Sequence, residues 1–273
     1  MRSGPARVRN LVASVSLLAV AAMTSAGCGM SDITNSTGAL SGSTFRRSAT
    51  PVSTNDWQRE AVAAGERYKA NPRDAGAALR YAEALRKGDQ RAQAAAVLQQ
   101  ASIAHPADRR VLGAYGRALA DTGNLEQALE VLSRAHSPDQ PDWRILSAQG
   151  AVLDQMERHD EARRYYATAL KIVPDEASVL SNLGLSYALA KDLKKAEDVL
   201  RKAAARGSGE RRVRQNLALV VGLQGRFQEA EEIARADLPA DEAAANMAYL
   251  KQMLAEHAGS KPGTRARAPR QAG

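Results

Sequence analysis

Small and apolar residues recur along this chain at a fixed interval of 34 positions. Gly116, Gly150 and Gly184 keep that step, and Ala82 and Ala218 extend it in both directions. A second column runs Ala94, Ala128, Ala162, Ala196 and Ala230, and a third runs Ala101, Ala135, Ala169 and Ala203. Bulky apolar residues fill the columns between: Leu112, Leu146 and Leu180; Leu85, Leu119, Leu153, Tyr187 and Val221; Leu98, Leu132, Tyr166 and Leu200. Several independent columns on one period mark an internal repeat. The pattern predicts two helices per period, A and B. Glycine or alanine at the eighth position leaves no bulk where A meets B, and alanine at the twentieth does the same from the other side. Short turns are expected at Thr122-Gly123-Asn124, Arg158-His159-Asp160, Lys191-Asp192 and Gln224-Gly225-Arg226. Pro72, Pro106 and Pro174 lack an N–H donor and stop the B helices.

A 34-residue period with these columns resembles the tetratricopeptide repeat, or TPR. The resemblance implies an all-α fold, a right-handed superhelix built as an α-solenoid of about five helix pairs. The repeats are expected at 75–108, 109–142, 143–176, 177–210 and 211–240. The outer ones depart from the pattern, with Ala78 in the first where a bulky residue is usual, and Arg214 and Asp237 in the fifth. Asp56 is expected to cap a helix from Trp57 to Ala70 that shields the first repeat. Beyond the Leu238-Pro239 break, Ala240 to His257 reads as a second capping helix, with Met247, Leu250 and Leu254 on one face. The array with its caps then covers 56–257, and 258–273 reads as a disordered basic tail.

Composition agrees with helices. Aromatic residues are only 4% of the chain, which disfavours a β-sandwich or barrel. The net charge of +8 says less than its size suggests. Arg2, Arg7 and Arg9 at one end and Lys261, Arg265, Arg267 and Arg270 at the other carry seven of those charges, which leaves +1 for everything between. Nucleic-acid binders concentrate basic charge on a folded face, so nucleic acid is not the expected partner.

The first residues read as an export signal. Three arginines precede the uncharged apolar run from Leu11 to Met23, too short for a transmembrane helix of about 20 residues. Then come Thr24, Ser25, Ala26, Gly27 and Cys28, the single cysteine. This stretch resembles the lipobox of bacterial lipoproteins, with Ser25 departing from the usual aliphatic residue. The resemblance implies a signal peptide over 1–27 and lipidation of Cys28; cleavage after Ala26 with a free Cys28 thiol is the alternative. Gly29, rather than an aspartate, implies sorting to the outer membrane of a Gram-negative bacterium, facing the periplasm. Residues 28–55 are rich in Ser, Thr, Gly and Asn and read as a flexible tether.

No catalytic pattern stands out. His105, His136, His159 and His257 lack metal-ligand spacing, and HExxH, CxxC, GxSxG and P-loop motifs are missing. The chain reads as a non-enzyme without cofactor or small-molecule substrate, and as a binder of protein. Candidate partner-binding residues on the concave, A-helix face are Arg110, Arg117, Asp121, Arg144, Ser147, Asn182, Gln215 and Asn216. Arginine suits a carboxylate. Asn182 and Asn216 share a column; an amide there suits a peptide backbone, or else a hydrogen bond between repeats. Leu185, Leu189, Leu219 and Leu223 fit either an apolar groove or the core between repeats.

One stretch carries a narrower resemblance. It runs through Asn216-Leu217-Ala218-Leu219, Gly222-Leu223-Gln224-Gly225-Arg226-Phe227, Glu229-Ala230-Glu231, Asp237-Leu238-Pro239, Ala243-Ala244-Ala245-Asn246 and Tyr249-Leu250. It is similar to the TadD family, TPR lipoproteins of the Flp/Tad tight-adherence pilus system. That implies a role in pilus assembly as pilotin or assembly factor for the secretin, with the secretin or another pilus component as partner. The competing expectation is a general envelope scaffold lipoprotein that recruits peptidoglycan enzymes or other envelope complexes.

Overall fold

The computed structural model describes residues 54–206 and 211–259, and all of its regular elements there are helices. In chain order they are α1 (Thr54–Ala70), α2 (Ala75–Lys87), α3 (Arg91–Ala104), α4 (Arg109–Asp121), α5 (Leu125–Arg134), α6 (Trp143–Gln155), α7 (His159–Ile172), α8 (Ala177–Leu189), α9 (Leu193–Arg206), α10 (Arg211–Leu223), α11 (Phe227–Ala234) and α12 (Ala240–Gly259). They fall into two compact units divided after Pro174. The first holds α1 and the pairs α2/α3, α4/α5 and α6/α7; the second holds α8/α9, α10/α11 and α12. The fold is all-α, with A and B helices alternating on the 34-residue period. The expected signal peptide, Cys28, nearly all of the tether and the tail from 260 lie outside the described residues.

The small-residue columns mark where A and B helices touch. A Cβ on Gly116 would lie 2.5 Å from Leu132 Cγ, one on Gly150 2.6 Å from Tyr166 Cε1, and one on Gly184 2.6 Å from Leu200 Cγ. Each glycine thus receives the bulky side chain sixteen positions later, from the facing B helix. In the first unit these contacts join one core through Ala82, Leu85, Leu98, Val111, Leu119, Leu132 and Val152. In the second unit Leu200, Leu217, Val220, Val221, Met247 and Leu250 form the core, with Leu219 buried in it and Leu223 packed against it. Those two leucines are therefore core rather than groove. Leu189 is partly exposed.

Every turn from A to B uses the same device. Asp89, Gly123, Glu157, Lys191 and Gly225 all have positive φ, between 58° and 84°, and are spaced 34 apart. The residue after each donates its N–H to the carbonyl five positions back, for example Asn124 N to Leu119 O at 2.9 Å and Arg158 N to Leu153 O at 2.9 Å. This bond satisfies a carbonyl that the helix end leaves open. Glycine adopts the left-handed conformation freely at Gly123 and Gly225, whereas Asp89, Glu157 and Lys191 hold it against a cost of about 1 kcal/mol each. The third turn is therefore Met156-Glu157-Arg158, two residues earlier than composition suggests, and His159 already opens α7. A second column starts the A helices: the carboxylates of Asp74, Asp108, Asp142 and Glu176 accept first-turn N–H groups.

The caps differ from expectation mainly at their ends. Helix α1 begins at Thr54, so Asp56 lies inside it and is not its cap. A run of cap-forming residues, Ser53 to Asp56, makes that start ambiguous in the sequence. Helix α1 does cover the first repeat. Trp57 lies against Gly88, where a Cβ would meet its ring at 2.2 Å, and Tyr68 stacks on Tyr81 with centroids 5.7 Å apart. At the other end α12 continues to Gly259. It presses Leu250 and Met247 onto Gly222 of α10.

Two departures from the repeat pattern prove to be one feature. Arg214, where a bulky apolar residue is usual, donates Nε to Asp237 Oδ2 at 2.8 Å, and its Nη2 bonds the other carboxylate oxygen. Asp237 is the second exception in the same repeat. The Asp237 side chain is only 7% exposed, so the pair replaces an apolar contact by a two-point ion pair.

Candidate functional site

The first unit carries a cleft of about 580 Å³ beside its A helices. Helices α2, α4 and α6 lie side by side there. Leu79 comes from α2, and Arg109, Arg110, Gly113, Ala114 and Arg117 come from α4. Trp143, Arg144 and Ile145 come from α6, and the connection before α6 adds Gln140, Pro141 and Asp142. That connection is unusual. Helix α5 has 10 residues, whereas the B helices α3, α7 and α9 have 14. Pro138 and Pro141 cannot continue a helix. The chain instead turns tightly, with Gln140 N bonded to Ser137 O at 3.1 Å, and becomes one wall of the cleft.

The lining is strongly cationic. Four arginines face a single carboxylate, Asp142, which is engaged with the backbone N–H of Arg144 at 2.8 Å. Arg109 donates to Gln140 Oε1 at 2.6 Å. Arg110 is bound to the cap residue Asp108, whose carboxyl it holds below the usual range against the opposing effect of burial. Arg144 lies over the Trp143 ring, 4.3 Å from its centroid. Arg117 differs from all three. Among the described residues it has no hydrogen bond or ion pair. Asp121, at the end of the same helix, and Glu83, on α2, are both held by Arg86, at 2.6 Å and 3.5 Å. Burial, and next the positive charge of Arg86, push the Arg117 guanidinium below the ordinary arginine range; Glu83, Asp142 and Asp121 oppose this by less.

The structure sorts the residues expected to face a partner. It brings Arg110, Arg117 and Arg144 together in the cleft. Asp121 instead forms the ion pair with Arg86 that joins α4 to α2. Ser147 is 7% exposed and Asn216 8%, so neither lies open on the face as expected. Asn216 Nδ2 donates to Ser181 Oγ at 2.8 Å, linking α10 to α8, which is the second of the two readings its column allowed. Buried amides need such partners. Asn182 and Gln215 are half-buried in the second unit. Arg109 and Trp143 are cleft residues that the repeat columns did not single out. The Arg109-Arg110 doublet after the cap Asp108 was the available signal.

The histidines are occupied locally. His105 bonds the Arg73 carbonyl at 2.6 Å, His136 bonds Gln149 at 3.0 Å, and His257 bonds the Met253 carbonyl at 3.2 Å. His159 and Tyr166 both donate to the buried Asp154, each at 2.9 Å. Among the described residues no group of three or more His, Cys, Asp or Glu is placed to hold a metal ion. No described helix is long and apolar enough to cross a membrane.

Comparison with known proteins bears on this architecture. Two tetratricopeptide repeat family models match, one over residues 89–151 and the other over residues 144–208. No curated protein matches the chain. A tetratricopeptide repeat protein from Parabacteroides merdae ATCC 43184 is similar with a TM-score of 0.62 at 11% identity, over 74% of this chain and 77% of that one. PilW, a widely conserved type IV pilus biogenesis factor, is similar with a TM-score of 0.59 at 17% identity, over 86% of this chain and 98% of its own. PilF of Pseudomonas aeruginosa gives 0.50 at 17% identity, over 76% and 91%. At these identities the likeness is one of fold. Together with the 34-residue columns and the helix pairs they build, the matches identify residues 89–208 as a run of tetratricopeptide repeats, a scaffold for protein interaction.

Proposed function

We propose that the chain is an outer-membrane lipoprotein, anchored through Cys28 and facing the periplasm, that binds a component of the Flp/Tad pilus machinery and assists its assembly as pilotin or secretin assembly factor. The observation that carries the reading is the stretch from Asn216 to Leu250, which is similar to the TadD family. Its residues are not spent on generic repeat columns alone. They include the Arg226 and Gln224 contacts to Glu197, the Asp237 partner of Arg214 and the Leu250 contact to Gly222. The fold likeness to PilW, itself a pilus biogenesis factor, supports the same direction. Small residues before Cys28 supply the lipobox likeness.

In this reading the lipid fixes the protein at the membrane and the repeats hold the partner. Tethering both to one surface raises their effective concentration, so a modest affinity suffices. More than one acyl chain is needed for stable anchoring, which the lipoprotein likeness supplies. The test is Cys28→Ser at native expression level. The variant is expected in the soluble fraction, with fewer surface fibres. Crosslinking of the native protein in the envelope is expected to recover a secretin or another pilus component. Normal fibres from a soluble variant, or recovery of peptidoglycan enzymes alone, overturns the proposal.

A further inference from the structure

The cleft beside α4 says what kind of segment the repeats hold. We propose that it recognises a peptide carrying an acidic residue next to an aliphatic one, with the carboxylate seated on Arg117 and the aliphatic side chain against Leu79, Ala114 and Ile145. The inference rests on the protein-binding reading of the repeats but not on the pilus assignment.

Three observations carry it. First, Arg117 is a desolvated cation with no partner among the described residues, beside a second cation, Arg86, that has taken the two neighbouring carboxylates. A half-buried charge without a partner is unfavourable, and an apolar residue of similar size is tolerated in its place. An incoming carboxylate supplies the missing partner and accepts two parallel N–H bonds from the guanidinium. Second, the surrounding charge has one sign. Arg109, Arg110 and Arg144 share the lining with Arg117, and the single acid, Asp142, is committed to the first turn of α6. Third, the remaining wall is apolar, and about 580 Å³ is room for several side chains rather than for a lone inorganic anion.

The adjoining lining limits how far the acidic preference extends. A second cavity of about 340 Å³, between α1 and α2, shares Leu79 with the cleft. There Glu60 and Glu83 balance Arg67 and Arg80. An acidic run along a whole ligand would gain at the α4 end and lose that advantage past Leu79. The expected ligand therefore has one acidic position beside an apolar one, not a polyanionic stretch. Nucleic acid fits less well, because the cleft offers one aromatic ring, Trp143, already covered by Arg144.

The experiment uses the full chain, purified in detergent and immobilised, and a random dodecapeptide display library as probe. Selected peptides are expected to share an Asp or Glu adjacent to Leu, Ile or Val. Synthetic copies should bind at least tenfold more weakly to Arg117→Met, and Arg117→Lys should keep part of the affinity. The thermal midpoint of Arg117→Met should equal or exceed that of the parent, because an unpaired cation has been removed; a structural arginine would give a lower one. Selection of neutral or basic peptides, no selection at all, undiminished binding to Arg117→Met, or a lower midpoint for that variant overturns the inference. So does Arg117-dependent binding of phosphatidylglycerol vesicles or single-stranded oligonucleotides in place of peptides. An Arg117→Met strain with normal fibres and lost peptide binding separates the cleft from pilus assembly and leaves this inference standing, whereas normal fibres from soluble Cys28→Ser overturn the pilus role alone.

Discussion

Replacing Gly150 by alanine sets two effects of one methyl group against each other. Gly150 sits within α6, where alanine is favoured over glycine by about 1 kcal/mol of helix propensity. By propensity alone the variant should be the more stable protein. The packing says otherwise. The new Cβ would lie 2.6 Å from Tyr166 Cε1, 2.8 Å from Cζ and 3.0 Å from Cδ1. Favourable carbon contacts fall at about 3.5–4.0 Å, so the ring must move by close to 1 Å. It has nowhere easy to go: Tyr166 is 1% exposed and its hydroxyl is tied to Asp154, which also holds His159. Overpacking of this kind costs about 1–3 kcal/mol, and the anchored ring places Gly150 at the upper end. The net expectation is a loss of about 1–2 kcal/mol. Gly113→Ala is the comparison, since its Cβ clashes with the terminal Cδ1 of Ile145 alone, at 2.5 Å, which a rotamer change can withdraw, while Arg117 Nη1 and Ile145 Cγ1 lie at ordinary contact, 3.7 and 3.9 Å. Urea denaturation followed by circular dichroism measures both. A Gly150→Ala protein as stable as the parent, or more stable, would refute the claim that the glycine column exists for helix contact.

Two further expectations concern ion pairs in the second unit. Burial alone would raise the Glu197 pKa, but bonds from Gln224, Arg226 and Arg201 outweigh it and hold the carboxyl at about 2. Its folded pKa is depressed, so the stabilisation is complete above the unfolded value of about 4.5 and fades as pH falls toward 2. The half-exposed arginines reduce the full shift to about 1–2 kcal/mol. Glu197→Gln should be less stable by that amount at pH 7, with the difference closing by pH 2; a gap independent of pH contradicts the assignment. Asp237→Ala should cost about 1–3 kcal/mol by leaving Arg214 unpaired, whereas Arg214→Leu with Asp237→Ala should recover most of it in a double-mutant cycle. Additive losses in that cycle would show that the two residues act separately.

What the sequence made legible was set by how narrowly each position is constrained. The eighth position must be small because Leu132, Tyr166 and Leu200 occupy the space a side chain would need, so Gly116, Gly150 and Gly184 stand out. The left-handed turn position is just as periodic, yet Asp89, Gly123, Glu157, Lys191 and Gly225 share no chemistry. There the constraint falls on the backbone, at a cost small enough for several side chains to bear. The pairing of Arg214 with Asp237 was invisible because two exceptions to a pattern do not announce that they answer one another. The site was read in part. Position on an A helix grouped Arg110, Arg117 and Arg144, which line one cleft, but it did not tell a groove-facing residue from one turned toward the next repeat. Asn216 and Ser147 went inward, where short polar side chains fit between helices and find partners.

The cleft arises where the repeat is interrupted without losing its register. The connections after α3 and α7 span four residues, 105–108 and 173–176, whereas the one after α5 spans eight, 135–142. Helix α5 is shorter by the same four residues, so α4 and α6 still start 34 positions apart and Asp142 still caps α6 in its column. Extending α5 by four residues would lengthen it by about 6 Å and consume residues 135–138, which lead the chain to Gln140 and Pro141. Gln140 is the residue that holds Arg109, and Pro141 forms part of the wall. The stacking of A helices is thus left to the constant 34-residue spacing, while the freed segment shapes one local surface. A scaffold gains a specific recognition site in this way without disturbing the contacts that keep its repeats together.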